Sequence, residues 1–267
     1  MKDWDDEFDN VGHVPNALGF FDIWCGRAAA FRNTHTKAEI NQPYGDMERQ
    51  KFDMFWPEGT PKGLVVFIHG GYWKRLDRSY FSDLAAGPLA HGWAVAMPSY
   101  TLAPNAYIHE MTFEIAHAVT AAAKRIEGPI RLIGHSAGGH LATRMMCKDT
   151  SLDASIISRI ENVVSVSGVH DLRNLCHTEL NEVLRLSTEE AISESPYLQT
   201  PLSNIPLNCW VGADERPEFI SQTKILHEKW SELGVDTKLM IEPTMHHFTV
   251  VDGLKDMNSE MVKALLG

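Results

Sequence analysis

Short runs of apolar residues recur along the chain, and longer polar or mixed segments separate them. The run 64–68 is apolar at every position, so it lacks the alternation expected of a strand with one face in water. Such runs are typical of central parallel strands that helices cover on both faces. Segment 49–56 alternates instead, as a half-buried strand does, and it stops at a proline. Further strands are predicted at 93–97, 130–133, 163–167, 207–211 and 237–241.

Helical periodicity fills several of the gaps between these strands. It predicts helices over 17–31, 108–125 and 217–233, the last with a proline near its first turn and a glycine after its end. Strands that alternate with helices of this length predict an α/β fold with a doubly wound, mostly parallel sheet. In such a sheet, ligands bind at the carboxyl ends of the strands.

The chain of 267 residues fits a single α/β domain, with enough length to bury a core on both faces of the sheet. Residues 1–40 combine several aromatic residues with one predicted helix, so we expect an N-terminal arm that lies across the domain. Residues 171–200 are polar and helix-prone, without strand character. We expect this insert to form a small helical cap over the carboxyl edge of the sheet.

The pentapeptide 134–138 is a G-x-S-x-G motif between a predicted strand and a segment that suits an amphipathic helix. A serine at such a strand-to-helix corner lies on a strained backbone, and its hydroxyl stands above the sheet. Small residues around Ser136 allow the strand and the helix to approach closely. The motif therefore makes Ser136 the candidate nucleophile.

The apolar run at 64–68 leads into a His-Gly-Gly segment, which consists of His69, Gly70 and Gly71. A flexible pair of glycines at this place can turn backbone N–H groups toward one point. A tetrahedral intermediate carries a negative oxygen, which fixed N–H donors stabilise in a dry site. Because losing one such donor typically costs about 3 kcal/mol of barrier, this segment is a candidate oxyanion hole.

A nucleophilic serine needs a neighbouring base, and that base needs an orienting carboxylate. The segment after the strand at 207–211 offers two adjacent acids. The spacing G-x-x-acid favours Glu215, whereas aspartate is the commoner acid type and favours Asp214. We prefer Glu215 on spacing, and Asp171, after the preceding strand, is a third candidate.

Two histidines, His246 and His247, follow the last predicted strand and are candidates for the base. The doublet also suggests a metal site, but the chain has no H-E-x-x-H motif and no third ligand at a convincing spacing. The four cysteines are scattered without C-x-x-C spacing and are typical of reduced thiols. We therefore expect neither a metal nor another cofactor.

Composition narrows the range of partners. The formal net charge of −11 argues against nucleic acid, whose phosphates would be repelled. No apolar stretch is long enough to span a bilayer. The acidic start of the chain lacks the pattern of a signal peptide. We expect a cytoplasmic protein that acts on a small molecule, without nucleic-acid or membrane partners, and the sequence leaves a homodimer open.

With these motifs in place, the chain resembles the α/β-hydrolase superfamily over nearly its full length. Within it, the chain is most similar to the kynurenine formamidase (arylformamidase) branch and its bacterial esterase relatives. The Tyr-Trp pair that follows His-Gly-Gly is the most specific part of the resemblance. The segments that carry it are 69–73, 134–141, 215–219 and 247–248.

The resemblance implies a role for each candidate residue. Ser136 is then the nucleophile and His247 the base, while His246 lines or buttresses the site. The acid is Glu215 or Asp214, and formamidases often carry aspartate at the position of Glu215. The oxyanion hole lies in the glycine loop and at the residue after the nucleophile, which are Gly70, Gly71, Tyr72 and Ala137.

The same resemblance implies an N-formyl aryl amide such as N-formylkynurenine as substrate, which is hydrolysed to formate and an amine. A formyl group needs only a small pocket, whereas the aromatic leaving group needs a flat surface. Candidates for that surface are Tyr72, Trp73, Tyr100 and Trp24, each of which is equally compatible with core packing. A general carboxylesterase acting on small acyl esters is the alternative function. A non-catalytic binding module has no need of the complete set of motifs.

Overall fold

The computed structural model describes residues 2–267, which form one sheet of eight strands with helices on both faces. Across the sheet the strands, numbered along the chain, follow the order β1-β2-β4-β3-β5-β6-β7-β8. Their bounds are β1 Ala38–Pro43, β2 Lys51–Phe55, β3 Leu64–Ile68, β4 Ala94–Pro98, β5 Ile130–His135, β6 Ile160–Val166, β7 Leu207–Gly212 and β8 Thr237–Glu242.

The sheet is parallel from β4 through β3 to β8. Strand β2 runs in the opposite direction to the other strands, because it pairs antiparallel with both β1 and β4. The predicted α/β fold with a mostly parallel, doubly wound sheet is confirmed. All strand carboxyl ends from β3 onward therefore meet at one edge, where this fold binds its ligands.

Strand β1 was not predicted, and its first residues, Ala38–Ile40, belong to the segment expected to be an arm. It lies at the edge of the sheet, and its residues are half-buried or exposed. An edge strand of this kind needs no apolar run, so the hydrophobic pattern gave no signal for it.

Helices connect the strands and cover the sheet. The helices predicted at 17–31, 108–125 and 217–233 are present as α3 (Gly19–Thr34), α5 (Ile108–Ala123) and α10 (Pro217–Glu232), and no end differs by more than three residues. The α-helices are α1 Trp4–Phe8, α2 Asn10–His13, α3 Gly19–Thr34, α4 Ala86–Ala90, α5 Ile108–Ala123, α6 Ala137–Arg144, α7 Ala154–Ile157, α8 Asn181–Leu184, α9 Thr188–Ser193, α10 Pro217–Glu232 and α11 Glu260–Leu266.

Two hydrophobic cores lie on the two faces of the sheet, and β3 shows how one strand serves both. Its residues Leu64, Val66 and Ile68 belong to one core, whereas Val65 and Phe67 belong to the other. All five are buried. The continuous apolar run in the sequence is therefore the consequence of helices on both faces.

The N-terminal arm and the insert at 171–200 flank the carboxyl edge of the sheet. Helix α1 packs against α10 and against the 3-10 helix Arg173–His177 of the insert. Helix α3 packs against the 3-10 helices Arg78–Tyr80 and Ser82–Ala85. Within residues 2–267, no helix has both the length and the apolar character that crossing a membrane requires.

Candidate active site

Ser136 lies at the corner between β5 and α6, with φ 57° and ψ −121°. A residue with a side chain rarely adopts this conformation, which is a source of strain typical of functional sites. Glycines make the corner sterically feasible. A Cβ atom on Gly70 would lie 2.8 Å from Cβ of Ser136, and one on Gly138 would lie 2.0 Å from the carbonyl oxygen of Ile68. The chain can form this corner because glycine, which has no side chain, lets neighbouring backbone segments approach closely.

The loop after β3 is strained as well. Tyr72 and Trp73 follow Gly71 with φ values of 51° and 54°, in the left-handed region that residues with side chains seldom occupy. Within residues 2–267, the N–H groups of Gly71, Tyr72 and Ala137 donate no hydrogen bond to a backbone carbonyl. The loop and the first turn of α6 thus leave N–H donors free next to Ser136. Such donors are what an oxyanion requires.

The structure places the carboxylate of Glu215, and not that of Asp214, against His247. Oε2 of Glu215 lies 2.7 Å from Nδ1 of His247, and both side chains are almost completely buried. Oε1 of Glu215 accepts hydrogen bonds from Ser167 Oγ at 2.5 Å and from the Gly212 N–H at 2.8 Å. With three donors, the orientation of this carboxylate is fixed.

Asp214 occupies a different environment although it is adjacent in sequence. Its residue is exposed, and within residues 2–267 its carboxylate has no hydrogen bond or ion pair, whereas its N–H donates to the carbonyl of Met245 at 3.0 Å. Asp171, the third candidate, pairs with Arg173 at 2.6 Å. Both aspartates therefore lie outside the contact with His247.

A carboxylate can only accept, so Nδ1 of His247 is the donor in the contact with Glu215. His135, the second residue of the pentapeptide, holds His247 from the other side: its Nε2 donates to the His247 carbonyl at 2.9 Å. Burial and the neighbouring His247 lower the pKa of His135 well below its usual value, so His135 is a neutral donor. The G-x-S-x-G motif itself does not indicate this role for His135.

A cavity of about 20 Å³ lies beside Ser136, and His247 and Tyr72 are among the residues that line it. Three of its wall residues come from the N-terminal arm, namely Asn10, Phe21 and Trp24, and none comes from the insert at 171–200. The arm therefore covers this cavity, and the insert does not contribute to its wall. The remaining wall residues are Gly71, Arg75, Leu76, His135 and Phe248.

Two expected substrate-binding residues lie elsewhere. Trp73 is fully buried, and its ring packs edge-on against His140 at 5.2 Å. Tyr100 is also fully buried: it stacks on His69 at 4.5 Å and donates to the His69 carbonyl at 3.0 Å. Neither residue lines the cavity, so neither offers its ring there to an aromatic leaving group, and both belong to the hydrophobic core.

Tyr72 and His246 occupy different positions relative to the cavity. Tyr72 lines it and is 8% exposed. Its hydroxyl donates to the carbonyl of Phe8 in the arm. His246 lies outside the cavity, half-buried, with its ring edge-on to Phe20 at 5.1 Å. Its Nδ1 accepts the Phe248 N–H at 3.2 Å, which braces the loop that carries His247.

Several wall residues escaped the sequence analysis because nothing in their local pattern marks them. Asn10 and Phe21 belong to arm helices, and Arg75 follows the glycine loop by four residues. Ser167, which supports Glu215, directly follows β6 at the carboxyl edge. That position is the one available signal, since polar residues at this edge are candidates for function. No group of three His, Cys, Asp or Glu side chains within residues 2–267 is arranged to hold a metal ion.

A strained serine corner at the carboxyl edge of a mostly parallel sheet is the organisation of an α/β-hydrolase. The chain belongs to the BD-FAE family of this class, whose family model matches residues 52–224. It is accordingly a hydrolase, and the resemblance to the kynurenine formamidase and esterase branch is confirmed by the relatives that follow.

Two curated relatives and one solved structure show how close the similarity is. The kynurenine formamidase of Salmo salar is 31% identical over 85% of this chain and 80% of its own length. The kynurenine formamidase of Danio rerio is 28% identical over 86% of this chain and 82% of its own. A crystal structure from Silicibacter sp. TM1040, described as that of a candidate thioesterase, is 43% identical with a TM-score of 0.94 and covers 100% of both chains.

Proposed function

We propose that the chain is a serine hydrolase that cleaves an N-formyl aryl amide such as N-formylkynurenine into formate and an amine. The observation that carries the proposal is the buried Glu215–His247 pair beside Ser136, in a cavity with room for about one or two water-sized groups. The pair supplies a base for the serine. The cavity suits an acyl group as small as formyl.

In the first half of the reaction, Nε2 of His247 takes the proton of the Ser136 hydroxyl as Oγ attacks the carbonyl carbon. The resulting oxyanion accepts hydrogen bonds from the free N–H groups of Gly71, Tyr72 and Ala137. His247 is then an imidazolium ion, which Glu215 stabilises across the 2.7 Å contact. Its proton passes to the nitrogen of the leaving group, and the C–N bond breaks.

In the second half, water attacks the formyl ester on Ser136. His247 takes a proton from that water and returns it to Oγ as the ester bond breaks, so formate leaves and the serine is restored. The same N–H groups bind the second oxyanion. No step requires a group beyond these side chains, the backbone donors and water.

The leaving group has space in a neighbouring groove. This groove, of about 570 Å³, lies between the N-terminal arm and the insert, with Phe8 on one side and Leu180 on the other. Tyr72 and Arg75 line both the groove and the cavity beside Ser136. A small acyl pocket that opens into a larger groove favours substrates with a small acyl group and a bulky leaving group.

The second candidate function is a carboxylesterase acting on small acyl esters, because the same nucleophile, base and donors serve ester cleavage. The 43% identical structure is described as that of a candidate thioesterase, and this description supports the esterase alternative. A side-by-side measurement of kcat/KM for N-formylkynurenine and p-nitrophenyl acetate separates the two. We expect the formamide to be the better substrate. Fast ester cleavage without formate release from N-formylkynurenine contradicts the proposal.

Acyl-chain length provides an independent test of the cavity. The p-nitrophenyl esters of formate, acetate and octanoate share one leaving group, so their kcat/KM values report the acyl pocket alone. We expect formate and acetate to exceed octanoate by at least tenfold, since a chain that does not fit forfeits its contacts and displaces the pocket walls. Equal turnover of octanoate would contradict the small pocket.

A further inference from the structure

Three side chains in the wall of the cavity beside Ser136 have buried polar atoms without a protein partner. These atoms are Oδ1 of Asn10, Nε of Arg75 and Nε1 of Trp24, none of which forms a hydrogen bond within residues 2–267. Folded proteins pair nearly all their buried polar atoms, so each exception needs an explanation. Three exceptions in one cavity, next to the candidate nucleophile, indicate positions that a bound molecule completes, and the acceptor of Asn10 and the cation of Arg75 are the two that define its chemistry.

The free atom of Asn10 is an acceptor, and its neighbours fix that assignment. Asn10 is 2% exposed, and its Nδ2 faces the hydroxyl of Tyr72 at 3.4 Å. That hydroxyl donates its only proton to the carbonyl of Phe8, so it can only accept from Asn10. The amide nitrogen of Asn10 must therefore face Tyr72. Its Oδ1 is left to accept from an N–H or O–H group of a bound molecule.

Arg75 is a cation without an anionic partner. Within residues 2–267, no carboxylate lies within ion-pair distance of its guanidinium group, which instead lies over the ring of Phe21 at 5.1 Å. Burial lowers the pKa of Arg75, and the carboxylate of Asp9, which is not in contact with it, offsets only part of this effect. The backbone N–H of Arg75 donates to the carbonyl of Gly71 at 3.1 Å, so the backbone of Arg75 belongs to the loop that carries the candidate oxyanion donors.

We propose that Asn10 and Arg75 determine the specificity of this hydrolase. Oδ1 of Asn10 accepts the N–H of the scissile formamide, and the guanidinium group of Arg75 binds a carboxylate on the leaving group. The inference rests on the proposed function and narrows its substrate class to N-formyl arylamines that carry a carboxylate. An ester has no N–H at the scissile bond, so Asn10 favours the amide over the ester.

The carboxylate part is tested with N-formylkynurenine and its carboxamide, which keeps the ring and the ammonium group. The wild-type protein should have a KM at least 30-fold lower for the carboxylate. Arg75→Met should remove that preference and leave the carboxamide within twofold, while Arg75→Lys should restore part of it. Lys62→Met, an equal change of charge at the exposed, opposite end of β3, is the control. Equal losses on both substrates would overturn the carboxylate role.

The N–H part is tested with formanilide and phenyl formate, which share the acyl group and the phenyl ring. Asn10→Leu should lower kcat/KM at least tenfold for formanilide and less than twofold for phenyl formate. Thermal unfolding of each variant shows whether the fold is kept. A similar loss on both substrates assigns Asn10 a structural role and overturns its part in specificity.

The outcomes separate this inference from the proposed function. If the wild-type protein releases formate from none of the formamides, the proposed function fails. If it cleaves N-formylkynurenine and its carboxamide with the same KM, and Arg75→Met changes neither, the proposed function stands and the carboxylate site fails.

Discussion

Nδ1 of His247 and Oε2 of Glu215 are 2.7 Å apart, and both side chains are buried. The contact joins two loops that are separated by β8. Ser167 and the Gly212 N–H hold the other oxygen of the carboxylate. These contacts fix the carboxylate and, through it, the orientation of the imidazole ring.

Replacing the acid should distinguish the two adjacent carboxylates. Glu215→Gln should lower kcat by roughly 10⁴, because an amide opposite Nδ1 no longer fixes the imidazole tautomer or stabilises the imidazolium ion. Asp214→Asn, the matched control one residue earlier, should stay within twofold. Steady-state kinetics with the better substrate measure both. A large loss of kcat in Asp214→Asn would show that the exposed carboxylate takes part in catalysis.

Removing the nucleophile should abolish hydrolysis of every substrate. Ser136→Ala should lower turnover by about 10⁶ and leave thermal unfolding unchanged. A sulfonyl fluoride should inactivate the wild-type protein and add its mass to the peptide that contains Ser136. Prolonged dialysis against a chelator should leave activity intact. Activity lost to the chelator and restored by zinc would contradict the serine mechanism.

Buried histidines should make the fold sensitive to mild acid. Burial lowers the pKa of His69 and His140 to about 4 and those of His135 and His170 well below their usual value. The unfolded chain takes up protons below about pH 6.5, whereas the folded imidazoles stay neutral. The free energy of unfolding should therefore fall as the pH drops from 6.5 toward 4, by up to about 1.4 kcal/mol per pH unit for each histidine.

Urea unfolding between pH 7.5 and 4.5 measures this dependence. His140→Gln should reduce the slope, since one neutral imidazole is removed from the folded state. His117→Gln, at an exposed position of α5, is the control and should leave the slope unchanged. The same slope in both variants would exclude His140 as a source of the acid sensitivity.

We expect a substitution of Trp73 to lower the stability of the fold, because its ring is buried in the core. Trp73→Ala should lower the free energy of unfolding by about 3–5 kcal/mol, the usual cost of removing a large buried aromatic ring. Phe113→Ala removes a ring that is 51% exposed and should cost far less. Urea unfolding of both variants at pH 7.5 provides the comparison. A small effect at Trp73 would show that its ring contributes little to packing.

The sequence predicted seven of the eight strands and missed β1, at the edge of the sheet. The run that became β3 was apolar at every position because both cores contact it. β1 had no such run, since an edge strand exposes much of its surface. Spacing indicated Glu215, and the reason it differs from Asp214 became visible only in the tertiary structure: one side chain points into the protein and the other into solvent.

Side-chain direction is what the sequence could not predict. Tyr72 and Trp73 are adjacent aromatic residues in one motif, yet the first lines the cavity and the second lies in the core. Consecutive side chains in this loop point in different directions, and no pattern in the sequence reports which of the two faces the cavity. Asn10 and Arg75 were missed for another reason. They come from distant segments that only the folded arm brings together.

The residues around the cavity come from two separate parts of the chain. The candidate nucleophile, base, acid and oxyanion donors belong to the loops of the sheet and to the first turn of α6, whereas Asn10, Phe21 and Trp24 come from the first 34 residues. Substitutions in that short segment can reshape the cavity while the reacting groups keep their positions. The arm can therefore vary one part of the cavity wall by itself, whereas Arg75, in the same wall, shares a loop with the candidate oxyanion donors.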